Sequence, residues 1–246
     1  MINILDLKRI NFIEKDLFVL FDIKNFLDDK TYNELKNNFP SKEYFIKSNN
    51  GGKVLFNSKQ KIFHEFINRK LIWKKFYKFV SSKEFIFFFL KILKKDLKYP
   101  NSNEFYIKND YLKKIFNLTK IKYLDFNMQF SLMKKGDFIA PHIDDEKKIL
   151  TLMLYFPDDL DSSKYGTSFY KQNHLAKFDG NFWDKGKLND AKIEEFKNKF
   201  TLIDKAEFSD NRLVGFVPND NSWHAVDKIE KDILRKSVNL NLNLIK

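Results

Sequence analysis

The sequence predicts an α+β protein with a mainly β core, in which helices from the first half cover strands from the second. Three patterns carry that expectation. Two segments alternate apolar and polar residues at the strand period of two, one from Leu124 to Met133 and one at the C-terminus. Ile149 to Phe156 is apolar on both faces and reads as a central strand covered from both sides. Upstream, apolar residues between Lys61 and Leu97 recur at spacings of three and four, which is a helical stripe.

In chain order, residues 17–22 (LFVLFD) form a short apolar strand. Asp28-Asp29-Lys30-Thr31-Tyr32 is a helix start, because a short carboxylate accepts the free N–H groups of a first turn. That helix runs to about Asn38 and stops before Pro40. Ile62, Phe63, Phe66, Ile67, Leu71 and Ile72 set the next stripe, which Ser81-Ser82 divides into two helices, and Pro100-Asn101-Ser102-Asn103 marks a loop. The character changes near residue 121. Leu124, Phe126, Met128, Phe130 and Leu132 share one face, with Asp125, Asn127, Gln129 and Ser131 opposite. In the last strand Val238, Leu240, Leu242 and Leu244 oppose Arg235, Ser237, Asn239, Asn241 and Asn243. Polar faces built mainly from amides and hydroxyls suit the wall of a cavity, an ordinary exposed sheet face being the alternative. Residues 171–210 break the β pattern, with Gly180, Gly186 and a short helical piece around Ile193 to Phe200. A loop of that length is usually functional, here as a lid or a substrate-selecting wall.

The chain has 246 residues, enough to bury a sizeable core in one large domain. With no cysteine, disulfides, zinc knuckles and thiol catalysis are excluded. The start, MINILDLKRINFIEKD, lacks the basic-then-apolar pattern of a signal peptide, so a cytoplasmic protein is expected. The greasiest run, Phe85 to Leu93, is too short to span a membrane. A net charge of +12 invites a nucleic-acid partner, but the lysines are scattered along the chain. The wealth of Lys, Asn, Phe and Ile, beside 7 Gly and 5 Pro, is the bias of an AT-rich coding sequence and weighs against that partner.

His142-Ile143-Asp144, distant His224 and Arg235 carry the chemistry. Two histidines and one carboxylate can hold one Fe(II) on a single face and leave three positions open. In an extended strand residues i and i+2 point the same way, so His142 and Asp144 could grip one metal from a strand entrance beside Gly136 and Pro141. Arg235, eleven residues past His224 on the polar face of the last strand, offers a two-pronged cation suited to a carboxylate, and Ser237 shares its face.

With these residues, the chain resembles an Fe(II)- and 2-oxoglutarate-dependent dioxygenase of the prolyl 4-hydroxylase-like branch. The resemblance covers about Gln129 to Leu242. It rests on Lys135-Gly136-Asp137-Phe138 leading into His142 and Asp144, Thr151 to Phe156, Tyr165-Gly166-Thr167-Ser168-Phe169, Trp223-His224-Ala225-Val226 and Arg235-Lys236-Ser237-Val238. Phe26-Leu27-Asp28-Asp29 before a helix also resembles the family's opening. The resemblance implies a double-stranded β-helix, or jelly roll, backed by N-terminal helices. It implies one oxygenase domain over 1–246, with 1–120 as mainly helical support and 121–246 as a core carrying 171–210 as an insertion. It implies His142, Asp144 and His224 as catalytic iron ligands, and Arg235 with Ser237 for the distal carboxylate of 2-oxoglutarate. Where the family often has a tyrosine, three residues before Gly136, this chain has Met133, which donates no hydrogen bond. Gln129, Ser131, Thr151 and Tyr155 are the candidates to replace it.

Other polar residues have plainer readings. Asp145 faces away from Asp144 as a solvated acid or one that supports the ligands, His174 is a loop-surface histidine with substrate contact as the alternative, and His64 is a packing or surface residue. Trp223 packs, and Phe85 to Phe89 belong to core or interface. The expected reaction is hydroxylation of an unactivated C–H bond with Fe(II), 2-oxoglutarate and O2, and with ascorbate as accessory reductant. The partner is a small-molecule or peptide substrate: a peptidyl proline, an amino acid or a sugar-bearing metabolite. Asn127, Asn239 and Asn241 would suit a hydroxyl-rich one. The rival readings are a non-catalytic jelly-roll binding protein and a nucleic-acid demethylase.

Overall fold

A computed structural model describes residues 9–47, 53–97, 105–107, 122–158, 160–173, 195–196 and 198–245. The first half contains β1 (Asn11–Glu14), β2 (Leu20–Ile23), α1 (Asp29–Asn37), β3 (Ile46–Lys47), β4 (Val54–Asn57), α2 (Lys61–Arg69), α3 (Leu71–Val80), α4 (Lys83–Ile92) and β5 (Phe105–Ile107). The second half contains β6 (Lys122–Met133), β7 (Ile139–His142), β8 (Lys148–Phe156), β9 (Ser168–Gln172), β10 (Phe200–Lys205), β11 (Leu213–Phe216), β12 (Trp223–Val226) and β13 (Arg235–Ile245). The larger sheet runs β1-β2-β11-β8-β13-β6-β4-β3, with β5 also on β6; the smaller runs β10-β9-β12-β7. The strands β6, β8, β11 and β13 of one sheet interleave along the chain with β7, β9, β10 and β12 of the other. This is the double-stranded β-helix, backed by α1 to α4.

The alternating strands explain which way the larger sheet faces. Leu124, Met128 and Phe130 of β6 and Val238, Leu240 and Leu242 of β13 are buried in one apolar cluster with Phe63, Phe66, Trp73 and Phe89 of the helices. Ring contacts knit this layer: Trp73 lies 4.6 Å from Phe130, and Tyr32 stacks on Phe156 at 5.2 Å. Once the apolar face is spent on the helices, the polar face of β6 and β13 must turn toward the smaller sheet. The two strands are paired along their length, so Gln129 meets Asn239, Asn127 meets Asn241 and Asp125 meets Asn243. The central position of β8, between β11 and β13, agrees with its two apolar faces.

Local chemistry accounts for α1, whose N-cap Asp28 accepts the Thr31 N–H at 2.9 Å and whose C-cap is Asn38. Four expectations need correction. The helical stretch 61–97 holds three helices, because Lys70 is extended (φ −108°, ψ 94°) and separates α2 from α3 without any glycine or proline. The strand expected at 17–22 is β2, which extends to Ile23 and forms a hairpin with β1. His142 is the last residue of β7, and Asp144 lies in the connection to β8, where Asp145 accepts the Lys147 and Lys148 N–H groups in a turn. His142-Ile143-Asp144 is thus a strand exit, not an entrance. Finally, the stretch 171–210 contributes β10, antiparallel to β9. The loop at Pro100–Asn103, Gly180, Gly186 and His174 lie outside the described residues.

Two glycines are required by geometry. Gly136 has φ +90° in the turn before β7, a conformation that a Cβ disfavours. A Cβ on Gly166 would meet the Ala206 carbonyl oxygen at 1.5 Å. Gly166→Ala should therefore lower stability by about 1–3 kcal/mol through overpacking against backbone. Urea unfolding reads this as a lower midpoint, and an unchanged midpoint would refute it.

Candidate active site

β7 and β12 are antiparallel neighbours in the smaller sheet, and their register sets His142 directly opposite His224. The imidazole centroids are 4.1 Å apart. Asp144 reaches the same point from the turn after β7, and one ligand atom each from His142, Asp144 and His224 lie within 4.8 Å of one another. Each ring is oriented through its other nitrogen. His142 Nδ1 donates to the Ala140 carbonyl at 3.0 Å, and His224 Nδ1 to the Ser222 carbonyl at 2.9 Å. Both bonds favour the tautomer that carries its lone pair on Nε2, the one a metal ligand uses.

The acid is held just as firmly. Lys148 Nζ donates to one Asp144 oxygen at 2.7 Å, and Thr151 Oγ1 to the other at 2.9 Å. Each carboxylate oxygen keeps a further lone pair for a metal. Burial alone would raise the Asp144 carboxyl, but Lys148, His224 and His142 outweigh it and hold the group well below the usual carboxylate range. Burial, and then His224, pushes His142 well below an ordinary histidine, and burial also lowers His224. Two neutral imidazoles and one carboxylate are the protonation states that a divalent metal needs, so the donor set fits Fe(II).

Across the cavity Arg235 is 2% exposed. Its Nε donates to the Tyr165 carbonyl at 2.6 Å, Nη2 to Thr167 Oγ1 at 3.4 Å, and Nη1 meets Met133 Sδ at 3.8 Å. The guanidinium also lies over the rings of Phe208 and Tyr155, at 5.2 and 5.4 Å. Among the described residues it has no carboxylate partner. A buried cation without a counter-ion is expensive, and an anionic ligand is the natural remedy. Among the described residues Ser131 Oγ, on the polar face of β6, is buried without a hydrogen-bond partner, and so is Ser168 Oγ. Of these, Arg235 lines the cavity, and its uncompensated charge fits a carboxylate-bearing ligand.

His142, Asp144, His224 and Arg235 all line one cavity of about 1160 Å³. Gln129, Thr151 and Ser237 line it as well, together with the amides Asn127, Asn239 and Asn241. Tyr155 is not in its wall: the side chain is fully buried and its hydroxyl donates to Thr167 at 2.9 Å. The Thr151 hydroxyl is engaged by Asp144, which leaves Gln129 and Ser131, on the same face of β6 as Met133, as the candidates uncommitted among the described residues. Trp223 is buried against Phe196 and Phe200 and also borders the cavity. Asp145 is exposed at the rim, and His64 lies on the surface with a bond to the Ser58 carbonyl. Sequence reasoning missed Lys148 and Thr167, as well as Lys53, another cavity-lining residue. Only Thr167 carried a signal, inside Tyr165-Gly166-Thr167.

Solved proteins share this fold. HygX from Streptomyces hygroscopicus, solved with nickel, 2-oxoglutarate and hygromycin B bound, matches at TM-score 0.51 and 7% identity over 93% of this chain and 84% of its own. SnoN, a non-heme alpha-ketoglutarate-dependent epimerase from nogalamycin biosynthesis, matches at TM-score 0.50 and 10% identity over 91% and 76%. A Pseudomonas putida prolyl-4-hydroxylase matches at TM-score 0.45 and 10% identity over 94% and 96%. No protein-family model and no curated protein matches the chain. At such identities the likeness of the first two concerns the fold, which is the one that houses 2-oxoglutarate chemistry in those two proteins. Among the described residues no helix is long and apolar enough to cross a membrane.

Proposed function

We propose that this chain, as one catalytic unit, is an Fe(II)- and 2-oxoglutarate-dependent dioxygenase that hydroxylates an unactivated C–H bond. The observation that carries this reading is the convergence of His142, Asp144 and His224 on one point of a cavity whose far wall holds the buried, uncompensated Arg235. When bound, Fe(II), 2-oxoglutarate and O2 supply the oxidant, with 2-oxoglutarate leaving as succinate and CO2 and one oxygen atom entering the substrate. His142, Asp144 and His224 would hold the metal and leave its other positions open. Arg235 and Ser237 would receive the distal carboxylate. Thr151 and Lys148 fix the Asp144 carboxylate, and the apolar packing behind β6, β8 and β13 keeps the donors rigid. The substrate is a peptidyl proline, an amino acid or a sugar-bearing metabolite; the amides of β6 and β13 suit a hydroxyl-rich one.

Purified protein given Fe(II), ascorbate, O2 and 2-oxoglutarate should release succinate slowly without a second substrate. A chelator should abolish this release. Succinate formation no faster than in the iron-free control, with Fe(II) demonstrably bound, would instead favour a binding protein that keeps the metal without turnover.

A further inference from the structure

Met133, packed beside Arg235, supplies no hydrogen-bond donor, and the strand next to it brings a residue that could supply one. In the larger sheet Arg235 pairs with Met133 across β13 and β6, and Val54 pairs with Leu132 across β6 and β4. Lys53 immediately precedes Val54, so continuing that register sets it opposite Met133. Lys53, Met133 and Arg235 then form one row across three strands, and residues in a row share a face. That face is the cavity: Lys53 and Arg235 both line it.

Lys53 is partly exposed and, among the described residues, has no hydrogen-bond or ion-pair partner. Its charge registers at both ends of the site. Burial, then Lys148 and Arg235, push its ammonium down to about 7, and Asp144 only partly offsets them. His224 in turn feels the charge of Lys53. Lys148 is already neutralised by Asp144 at 2.7 Å. Among the described residues no carboxylate is paired with Arg235 or Lys53, so the two cations facing one cavity suit a carboxylate brought by a ligand. Met133 Sδ, a weak acceptor beside Arg235, adds no donor of its own.

We propose that Lys53 is a cosubstrate-binding residue, its ammonium joining Arg235 in holding the distal carboxylate of 2-oxoglutarate in place of a tyrosine hydroxyl. This rests on the oxygenase reading above. It also gives the β4 strand a purpose in the site: β4 brings a lysine to the same row as the last-strand arginine.

The test is equilibrium binding, by titration calorimetry, to the full chain loaded with Mn(II). Two probes are compared: 2-oxoglutarate, and 2-oxovalerate, which has a methyl group where 2-oxoglutarate has its distal carboxylate. Lys53→Met should weaken 2-oxoglutarate roughly 10- to 100-fold, the value of a charge-assisted hydrogen bond. Affinity for 2-oxovalerate and for Mn(II) should stay within about threefold, since the metal end is untouched. Lys53→Arg should retain most of the affinity. Adding Met133→Tyr to Lys53→Met should recover much of the loss by restoring a donor in the same row. Lys53→Met that binds 2-oxoglutarate like the parent overturns the proposal, as does equal loss of both oxo acids, which marks a structural lysine. Should Lys53→Met fail to fold, Lys53→Gln is held to the same outcomes. Parent protein that binds Mn(II) but not 2-oxoglutarate gives a different pattern, and there the oxygenase reading itself falls.

Discussion

His142→Ala should strip the protein of its divalent metal and of succinate formation while leaving the fold in place. The imidazole sits at the end of β7, partly exposed, and does not belong to the large apolar cluster that joins the helices to the sheet. Its removal therefore opens no deep cavity, and unfolding stability should change by less than about 1.5 kcal/mol, in line with most substitutions outside a core. The metal is another matter. Even changes to residues that merely orient a ligand commonly cost about 10- to 100-fold in metal affinity, so deleting the ligand should cost more than about 100-fold. Asp144 and His224 would remain close together, but two donors fix neither the position of an ion nor its open face. Mn(II) titration of the variant, beside its urea unfolding curve, separates the two effects. Affinity for Mn(II) equal to the parent's would remove His142 from the ligand set, and a large drop in stability would show the ring to be structural.

What the sequence made legible depends on the range of the interaction involved. The polar faces of β6 and β13 were readable because Asp125 to Ser131 and Ser237 to Asn243 alternate at a period only a strand can use. The Asp28 cap was readable because its partner, Thr31, is three residues away. The break at Lys70 was not, since no residue there forbids a helix and the packing of α2 and α3 decides it. The β1–β2 hairpin and β10 were missed for a related reason: both lack strong alternation, and β10 finds its place by pairing with β9. The metal triad was legible as residue types, but a shared strand face is not what brings His142 and Asp144 together, since β7 ends at His142. They share no strand. The turn at Asp145, with Lys148 and Thr151 drawing in the carboxylate, does that work instead. Lys53 was invisible because its place follows from the pairing of β4 with β6, two segments far apart in the chain. A lysine beside two glycines otherwise reads as an ordinary loop residue.

Arg235→Met should weaken 2-oxoglutarate binding by about 2–5 kcal/mol, or roughly 30- to 5,000-fold, the cost of removing one partner from a buried hydrogen-bonded charge pair. The same change should leave the ligand-free protein as stable as before, or more stable. Burial disfavours the charged guanidinium and lowers its pKa, and no carboxylate among the described residues compensates it. Methionine fills much of the same volume without a charge to desolvate, so the free protein loses a burden and the complex loses its anchor. A structural arginine predicts the reverse: lost stability from breaking the 2.6 Å bond to the Tyr165 carbonyl, with cosubstrate affinity tracking the fraction folded. Arg235→Lys should recover only part of the affinity, because an ammonium cannot hold the Tyr165 carbonyl, reach Thr167 and still present two parallel donors to a carboxylate. The sign of the stability change distinguishes the two roles. If Arg235→Met unfolds at lower urea and its folded fraction binds 2-oxoglutarate normally, the arginine belongs to the scaffold and the carboxylate site must lie elsewhere in the cavity.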